Sequence, residues 1–512
     1  MARTLIAAGL REVILPVLDY ASPYEGVTVE GDEHVYRFMD REGQMLALRA
    51  DFTPMAARVV APRLGRLTEP VELFYRGDVV RDEASGVGRP REFAQVGAER
   101  YGDASFAADE RMLGLLLSCL AEIPAERLRI TLGYAGLLDK LLAAAAPALV
   151  RRDGSRLRAL SAACRERRVN GADDALRAEG ASADAAREIA RALLVGFDPA
   201  SKLFALPILT RAADELARAV ALARAARPGA SVVVDLAGTP TAPYYSGLTV
   251  SVDALGVASP LAGGGRYDNL LARFGAPAAA FGFSIGVEAL SAALSGGVPE
   301  ASPRALRIAL GKGRLLSKTL PTLRSAGVDF PEPDGRRLLV TDRSGAFELL
   351  LLKDDDVPTY VAHGGADLGI VGGDRVAESG EEVFSPVEFP FGVCRLSLIG
   401  RAGEPFRPNG HPVRVGTKYT RLAKRFFDER RIAHEVFPLA GSVELAAALK
   451  LTDVVVDLIE TGSTIAANGL AEIETILESR ATLIVGRAAL VSRRDEIAAL
   501  VERLLAPVAV AC

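Results

Sequence analysis

The sequence contains few of the residues that form disulfide frameworks and metal sites. Only four cysteines and four histidines occur among its 512 residues, and tryptophan is absent. The cysteines lack the CxxC spacing of a zinc site and are typical of reduced cytosolic thiols, which also argues against a disulfide framework. The histidines are equally dispersed, so a histidine-based metal cluster is not expected. These residues are Cys119, Cys164, Cys394 and Cys512, with His34, His363, His411 and His434.

Long apolar runs and an excess of one charge are missing as well. No apolar stretch is long enough to span a bilayer, and residues 1–10 carry too short an apolar run for a signal peptide. Lysine and arginine (61) nearly balance aspartate and glutamate (65), which gives a net charge of −4. A chain of this charge has no general attraction to nucleic acid or to anionic membranes. We therefore expect a cytoplasmic protein without a nucleic-acid or membrane partner.

A Gly/Pro/Ser-rich segment divides the chain, whose length predicts about three domains. Residues 295–303 lack hydrophobic periodicity, which predicts a linker between a domain at 1–294 and a domain at 304–512. Beyond the linker, strands and helices alternate as in parallel α/β packing, and we expect two lobes that bind ligands at the carboxyl ends of the strands. Before it, strand-like runs predict an antiparallel sheet in an α+β domain. A segment rich in Ala and Leu, at about 124–228, predicts a helical insertion in that domain.

The most informative motif lies near the C-terminal end. A β-branched run at 454–459 includes Asp457 and is followed by Glu460 and by a Thr-Gly-Ser-Thr turn at 461–464 that can open a helix. Such a turn directs backbone N–H groups and hydroxyls at one point, which suits a phosphate group. The two carboxylates stand where ribose hydroxyls or a magnesium ion would be, so the segment could hold a 5-phosphoribosyl group by both ends. A plain turn is the more frequent interpretation unless other motifs agree.

Five further motifs in a fixed order do agree. From about Leu306 to Leu505 the sequence resembles the short form of ATP phosphoribosyltransferase, the first enzyme of histidine biosynthesis. The resemblance implies a two-lobed α/β fold like that of periplasmic binding proteins. It also implies that N1 of ATP attacks C1 of 5-phosphoribosyl pyrophosphate (PRPP) and displaces magnesium-bound pyrophosphate, giving N1-(5-phosphoribosyl)-ATP. The motifs are residues 309–315, 356–361, 365–374, 416–419 and 441–446.

Residue chemistry suggests roles within this resemblance. Catalysis needs no protein nucleophile and relies on positioning two polyanions and stabilising the departing pyrophosphate. Asp457 and Glu460 are expected on the ribose side, and Thr461, Gly462, Ser463 and Thr464 around the 5′-phosphate. Lys312, Arg314 and Lys353 are cations suited to pyrophosphate or triphosphate, although a surface Lys–Arg pair is the ordinary alternative for the first two. Asp374, at a strand end, is either a site residue or a helix cap, and Tyr360 is expected in the core.

The first half of the chain carries a second set of motifs. Between residues 74 and 99, two strands joined by a basic loop place Arg, Gln and Glu at alternating positions, which predicts polar groups on one face of a sheet. A solvated sheet face is the commoner interpretation of one such hairpin. Together with residues 48–54, 262–270 and 282–290, however, the hairpin resembles histidyl-tRNA synthetase, a class II aminoacyl-tRNA synthetase. The resemblance covers roughly residues 9–290.

This resemblance implies a histidine pocket without synthetase chemistry. The α-amine would be held by Asp51, Thr53 and Gln95, the carboxylate by Arg76, and the imidazole by Glu99 and Tyr245. Ala289 and Pro240 replace two arginines of the synthetase, which removes cations that adenylate formation needs to balance phosphate charge. No room remains for an anticodon-binding domain before the transferase begins. The pattern resembles the regulatory subunit that partners the short transferase.

The sequence therefore predicts a fusion of the regulatory and catalytic subunits of ATP phosphoribosyltransferase, inhibited by histidine through the synthetase-like domain. A homo-oligomer is expected, either a tetramer built from two dimers or a plain dimer. Three alternatives remain open: a two-lobed small-molecule-binding protein, a regulatory scaffold with weak or no transferase activity, and a working synthetase with an appended domain. The missing signal peptide disfavours the first, the intact transferase motifs the second, and Ala289 with Pro240 the third.

Overall fold

The computed structural model describes most of the chain. The described residues are 1–27, 34–66, 68–82, 91–150, 154–238, 243–257, 259–296, 304–332, 337–408, 410–441, 443–460 and 462–506. Contacts divide the chain into two compact units, one formed by Met1–Ser302 with Val491–Asp495, the other by Pro303–Leu490 with Glu496–Cys512. Most of the predicted linker, from residue 297 onward, lies outside the described residues.

The first unit contains a large sheet, a small sheet and helices. Its strands are β1 (Arg11–Glu12), β2 (Leu18–Tyr20), β3 (Arg37–Met39), β4 (Met45–Leu48), β5 (Val71–Val80), β6 (Glu92–Tyr101), β7 (Leu128–Tyr134), β8 (Ser231–Val234), β9 (Leu248–Ala254), β10 (Ala262–Arg266) and β11 (Ala280–Gly286). Its helices are α1 (Ala2–Ala7), α2 (Phe52–Leu64), α3 (Phe106–Cys119), α4 (Leu137–Ala145), α5 (Ser155–Arg165), α6 (Val169–Ala178), α7 (Ala183–Val195), α8 (Pro207–Ala226) and α9 (Val287–Ser295).

Among the described residues, the strands of the large sheet lie in the order β1-β5-β6-β11-β10-β9-β7-β8. It is antiparallel, as predicted, except for the outermost pairs β1–β5 and β7–β8, which are parallel. The predicted helical insertion does not begin with a helix, because residues 128–134 form β7 inside the sheet. Leu128, Ile130 and Leu132 alternate there with Arg129 and Thr131, and a period of two places the apolar side chains on one face of a strand.

The two faces of this sheet pack differently. One face carries Phe74, Ala98 and Phe283 into the main apolar core, which α3 and α8 help to form. The other face packs against α2, where the rings of Phe52 and Tyr75 stack with centroids 4.3 Å apart. The second face carries Gln95 and Glu99 of the predicted histidine pocket.

The second unit contains two sheets joined by two chain crossings. Its strands are β12 (Leu306–Gly311), β13 (Leu339–Thr341), β14 (Phe347–Leu352), β15 (Leu368–Gly372), β16 (Val383–Glu388), β17 (Cys394–Arg401), β18 (Val413–Thr417), β19 (His434–Pro438), β20 (Val454–Ile459), β21 (Leu470–Ser479) and β22 (Ala481–Gly486). The helices beyond residue 303 are α10 (Arg314–Ser325), α11 (Val357–Ala362), α12 (Gly373–Ser379), α13 (Thr420–Glu429), α14 (Val443–Ala448), α15 (Ser463–Ala467), α16 (Arg487–Ser492) and α17 (Arg494–Leu505).

We call the part around the sheet β13-β14-β12-β15-β22-β16 the first lobe and the part around β19-β18-β20-β17-β21 the second lobe. The predicted parallel packing is present in part of each sheet. Neighbours β12, β14 and β15 are parallel, as are β18, β19 and β20, but β22 and β17 run antiparallel to the strands beside them. The direction changes because the chain enters the second lobe after β16 and returns directly from β21 to β22.

The parallel strands place the predicted transferase residues at their carboxyl ends. Lys312 follows β12, Lys353 follows β14, and Glu460 follows β20. Open α/β sheets bind ligands at this edge. Among the described residues, no helix is both long enough and apolar enough to cross a bilayer.

Candidate functional site

The loop after β20 begins the candidate transferase site. Asp457 lies near the end of β20, is 9% exposed, and has its pKa raised by burial. The Lys418 ammonium, at the end of the neighbouring parallel strand β18, lies 3.7 Å from the Asp457 Oδ1. Lys418 belongs to the motif at 416–419, but the sequence analysis assigned it no role. Its position directly after a strand parallel to β20 could have identified it.

The turn that follows has the backbone predicted for it. Gly462 adopts a φ of 81°, a left-handed conformation that favours glycine, and α15 begins at Ser463. Ser463 and Thr464 are exposed. Thr461, predicted to bind phosphate with them, lies outside the described residues, as does Pro240.

The predicted cations lie on the first lobe. Lys312 and Lys353 follow adjacent parallel strands, because Gly311 pairs with Leu352 in register, and both lysines are exposed. Arg314 opens α10 and its Nη1 lies 3.1 Å from both carboxylate oxygens of Glu460. The structure therefore brings one predicted cation of the first lobe against one predicted carboxylate of the second. The contact is exposed on both sides.

Two other expectations for this unit change. Asp374 is neither at the surface nor the N-cap of α12, which is Gly372; it is 3% exposed and hydrogen-bonded inside the unit. Tyr360, expected in the core, is 44% exposed, because α11 turns it outward from the buried Val357 and Val361.

The candidate histidine pocket is built around Glu99, which is completely buried in β6. Glu99 pairs in register with Gly282 of β11. A Cβ at position 282 would overlap the Glu99 carboxylate. Glycine at 282 therefore leaves the space that the carboxylate occupies.

Three hydroxyl groups donate to this carboxylate. The Thr53 Oγ1 lies 2.9 Å from Glu99 Oε1 and the Tyr75 hydroxyl 3.0 Å from the same oxygen. The Tyr267 hydroxyl donates to Oε2. Burial raises the pKa of Glu99 to about 7 although these three hydrogen bonds favour the ionised form. Sequence reasoning missed both tyrosines, which strand pairing and packing bring to the site.

A second carboxylate lies in the same pocket. Asp51 is the N-cap of α2, where its Oδ1 accepts a hydrogen bond from the Thr53 backbone N–H at 3.0 Å. Its Oδ2 accepts from the Tyr244 hydroxyl at 3.3 Å, and burial raises its pKa. The rings of Tyr244 and Tyr245 meet edge to face, with centroids 5.1 Å apart, and Tyr245 lies over Gly265 of β10.

The structure does not bring Arg76 to this pocket. Tyr75 pairs with Gly97, and Arg76 with Val96, so Arg76 lies on the opposite sheet face from Glu99. Its Nε bonds to the Glu12 carboxylate at 2.8 Å near the surface. Arg81 instead follows β5 on the pocket side, where its charge lowers the pKa of Asp51, against the larger effect of burial, and its Nε donates to the Ala50 carbonyl at 3.0 Å.

Alternation along β6 places the remaining predicted residue, Gln95, on the pocket face. Gln95, Gly97 and Glu99 share one face of the strand, and Gln95 is half-buried. The same parity rule applied to β5 would have selected Arg81 from the sequence.

The buried Glu99 predicts a pH-dependent stability. The folded pKa of Glu99, about 7, exceeds its ordinary value of 4.5. Its contribution to the free energy of unfolding is therefore fully present below about pH 4.5 and is lost as the pH rises through about 7. The loss amounts to about 3 kcal/mol. Calorimetry between pH 5 and 8 should show a weaker pH dependence of Tm in Glu99→Gln than in the wild type. The exposed Glu122→Gln is the control, and equal pH dependence in all three proteins would contradict the assignment.

Comparison with known proteins supports both halves of the chain. A family model described as histidyl-tRNA synthetase matches residues 1–290, and one described as ATP phosphoribosyltransferase matches residues 353–506. The ATP phosphoribosyltransferase of Thermus thermophilus is 44% identical over 200 residues, which cover 39% of this chain and 95% of that protein. That of Thermococcus gammatolerans is 43% identical over 199 residues, covering 38% and 95%.

A solved structure from Bacillus halodurans supports the fold of the first half. It is described as an ATP phosphoribosyltransferase regulatory subunit/histidyl-tRNA synthetase and matches with a TM-score of 0.51 and 23% identity, covering 69% of this chain and 86% of that one. The predicted folds and both resemblances are confirmed. The chain belongs to the ATP phosphoribosyltransferase family, with a domain of the histidyl-tRNA synthetase family fused ahead of the transferase.

Proposed function

We propose that the second unit transfers the phosphoribosyl group of PRPP to N1 of ATP and releases pyrophosphate. The observation that carries this proposal is the contact of Arg314 with Glu460, which brings the cation-bearing edge of the first lobe to the carboxylate loop of the second. Such a place fits substrates that carry both phosphates and ribose hydroxyls. Cations suit the phosphates, and carboxylates suit the ribose hydroxyls.

Each group then has a task in the displacement. Asp457 and Glu460 accept hydrogen bonds from ribose hydroxyls and fix C1 for in-line attack. Residues 461–464 hold the 5′-phosphate, while Lys312, Lys353 and Arg314 stabilise the charge that develops on the leaving pyrophosphate. The exposed Arg314–Glu460 pair is worth at most about 1 kcal/mol, so bound PRPP can replace it at little cost.

The donor set also fits magnesium carried by the substrate. Magnesium usually takes one or two protein carboxylates together with phosphate oxygens and water. Asp457 and Glu460 supply two such carboxylates. Within the described ranges, no group of three or more His, Cys, Asp or Glu side chains could hold a metal by itself. When bound, the ion would neutralise pyrophosphate charge.

The carboxylate loop yields a direct test of PRPP binding. Asp457→Asn and Glu460→Gln should each raise the PRPP KM about tenfold or more, because a hydrogen bond to a charged group is worth about 1.5–3 kcal/mol, while the ATP KM changes much less. Steady-state pyrophosphate release measures both. Glu435→Gln, an exposed glutamate of the same lobe, is the control. Unchanged PRPP kinetics in both variants would remove the loop from the site, and no product from the wild type would favour a scaffold.

We further propose that free histidine binds the first unit and inhibits the transferase. The pocket offers two carboxylates, Asp51 and Glu99, to a ligand with an α-amine and an imidazole. A ligand without a matching donor would leave a buried carboxylate poorly paired, which makes such a site selective. Arg81, on the pocket side, takes the role predicted for Arg76 as the partner of the ligand carboxylate. Ala289 leaves the ligand without adenylation chemistry.

Loss of histidine sensitivity should follow from two pocket variants. Glu99→Gln and Tyr245→Phe should raise the histidine concentration for half-inhibition about tenfold or more with little change in uninhibited turnover. Glu122→Gln and the exposed Tyr360→Phe should stay sensitive, and Arg76→Ala should resemble these controls. The wild type should exchange no pyrophosphate with ATP in the presence of histidine. Full sensitivity of both pocket variants would exclude this pocket, and histidine-dependent exchange would indicate a working synthetase.

We also propose that the chain forms a homo-oligomer. One face of the small sheet β2-β4-β3 carries the exposed side chains of Leu18, Tyr20 and Phe38, and the other face carries those of Met39 and Met45. Exposed apolar clusters mark contact surfaces, and we propose the first of these faces as the contact. Light scattering during size exclusion should give a dimer or, with a second two-fold contact, a tetramer of the 54.0 kDa chain. A monomer mass at micromolar concentration would contradict both.

A further inference from the structure

One buried carboxylate of the second unit, Asp374, makes its hydrogen bonds between the lobes. It lies in α12 of the first lobe. Its Oδ2 accepts from the Tyr419 hydroxyl at 2.7 Å, and its Oδ1 accepts from the Ser479 Oγ at 2.8 Å. Tyr419 immediately precedes α13 in the second lobe, and Ser479 is the last residue of β21. Two hydroxyls of the second lobe therefore hold one carboxylate of the first.

Glu378, four residues further along α12, makes a second contact of this kind. Residues four apart share a helix face. The Glu378 carboxylate accepts hydrogen bonds from the backbone N–H groups of Arg421 at 2.9 Å and Leu422 at 3.0 Å. The first turn of a helix has no internal partners for these groups. The start of α13 is thus satisfied by a side chain from the other lobe.

A continuous set of contacts leads from Tyr419 to the carboxylate loop. The Tyr419 backbone N–H donates to the Thr417 Oγ1 at 2.8 Å, and that hydroxyl donates to the Val456 carbonyl at 2.7 Å. Val456 immediately precedes Asp457, and Lys418 bridges the same two strand ends. Thr417 and Tyr419 are fully buried, so a shift of Tyr419 displaces Lys418 and Asp457 together.

The Asp374 contact differs from the Arg314–Glu460 pair in how easily it separates. Arg314 and Glu460 are exposed, and a solvated ion pair separates at small cost. Asp374 is buried, so separating it from Tyr419 and Ser479 removes both hydroxyl donors from a buried carboxylate and leaves only the Arg375 Nε beside it, 3.4 Å from its Oδ2. The lobes can therefore part at Arg314 and Glu460 while the buried contact holds.

We propose that Asp374, Glu378, Tyr419 and Ser479 form an interlobe joint that sets Lys418 and Asp457 for PRPP binding. Asp374 is then a positioning residue for phosphoribosyl transfer. The inference rests on the proposed binding of PRPP by the loop after β20, and it adds residues that lie outside that loop.

Tyr419→Phe isolates the joint most cleanly, because it removes one hydroxyl and keeps the ring, which also packs under the Arg375 guanidinium at 4.7 Å. It should raise the PRPP KM about five- to tenfold, with the ATP KM and kcat changed less than twofold. Glu378→Gln, which loses one acceptor oxygen, should raise the PRPP KM about two- to threefold. Tyr360→Phe, on the exposed side of α11, is the matched control and should leave all three constants unchanged.

A double-mutant cycle separates positioning from loss of stability. If the joint acts through Lys418 and Asp457, Tyr419→Phe combined with Lys418→Ala should raise the PRPP KM by less than the product of the two single effects. Asp457→Asn serves as the reference for the loop itself.

The outcomes for the joint can be separated from those for PRPP binding by the loop after β20. Suppose that Asp457→Asn raises the PRPP KM. If Tyr419→Phe and Glu378→Gln then leave this KM unchanged and only lower the Tm, the joint is purely structural and the inference is overturned. An unchanged KM in Asp457→Asn would overturn the loop assignment and the inference together. Should Tyr419→Phe fail to fold, Glu378→Gln decides by the same criterion.

Discussion

A buried carboxylate must be supplied with hydrogen-bond donors, and both units are organised around that requirement. Glu99 receives hydrogen bonds from three hydroxyls, and Asp374 receives hydrogen bonds from two, with the Arg375 Nε farther away at 3.4 Å. Hydroxyl donors can turn to serve a ligand, whereas a buried ion pair holds its charges to each other. The surrounding elements deliver these hydroxyls from distant parts of the chain, which fixes their mutual placement.

Sequence patterns predicted the antiparallel sheet of the first unit and the alternating strands and helices of the second. Alternation located β5 and β6, and the carboxylate loop was found from its position after a β-branched run. The error at Arg76 arose because a motif was matched by residue type without following strand parity, which places Arg81 on the pocket side. β7 was missed because its helical surroundings masked a clear alternation.

Other features could not be obtained from local sequence. The partners of Glu99 include Tyr267, 168 residues away along the chain, and those of Asp374 include Ser479, 105 residues away. Such pairs depend on strand register and on which lobe each strand joins. The sequence also suggested parallel sheets, since helices alternate with strands, and could not reveal that two crossings reverse the direction of β17 and β22.

The order of strands in the first lobe has a consequence for how the protein is made. β22 lies between β15 and β16 in the finished sheet, yet it is translated after the whole second lobe. A ribosome therefore releases about ninety residues between β16 and the strand that β16 must pair with. Until then, β15 and β16 each present an unpaired edge that invites wrong strand pairing. The second lobe, by contrast, is a continuous segment from β17 to β21 and can complete its sheet first, so it is expected to fold before the lobe that precedes it in the sequence.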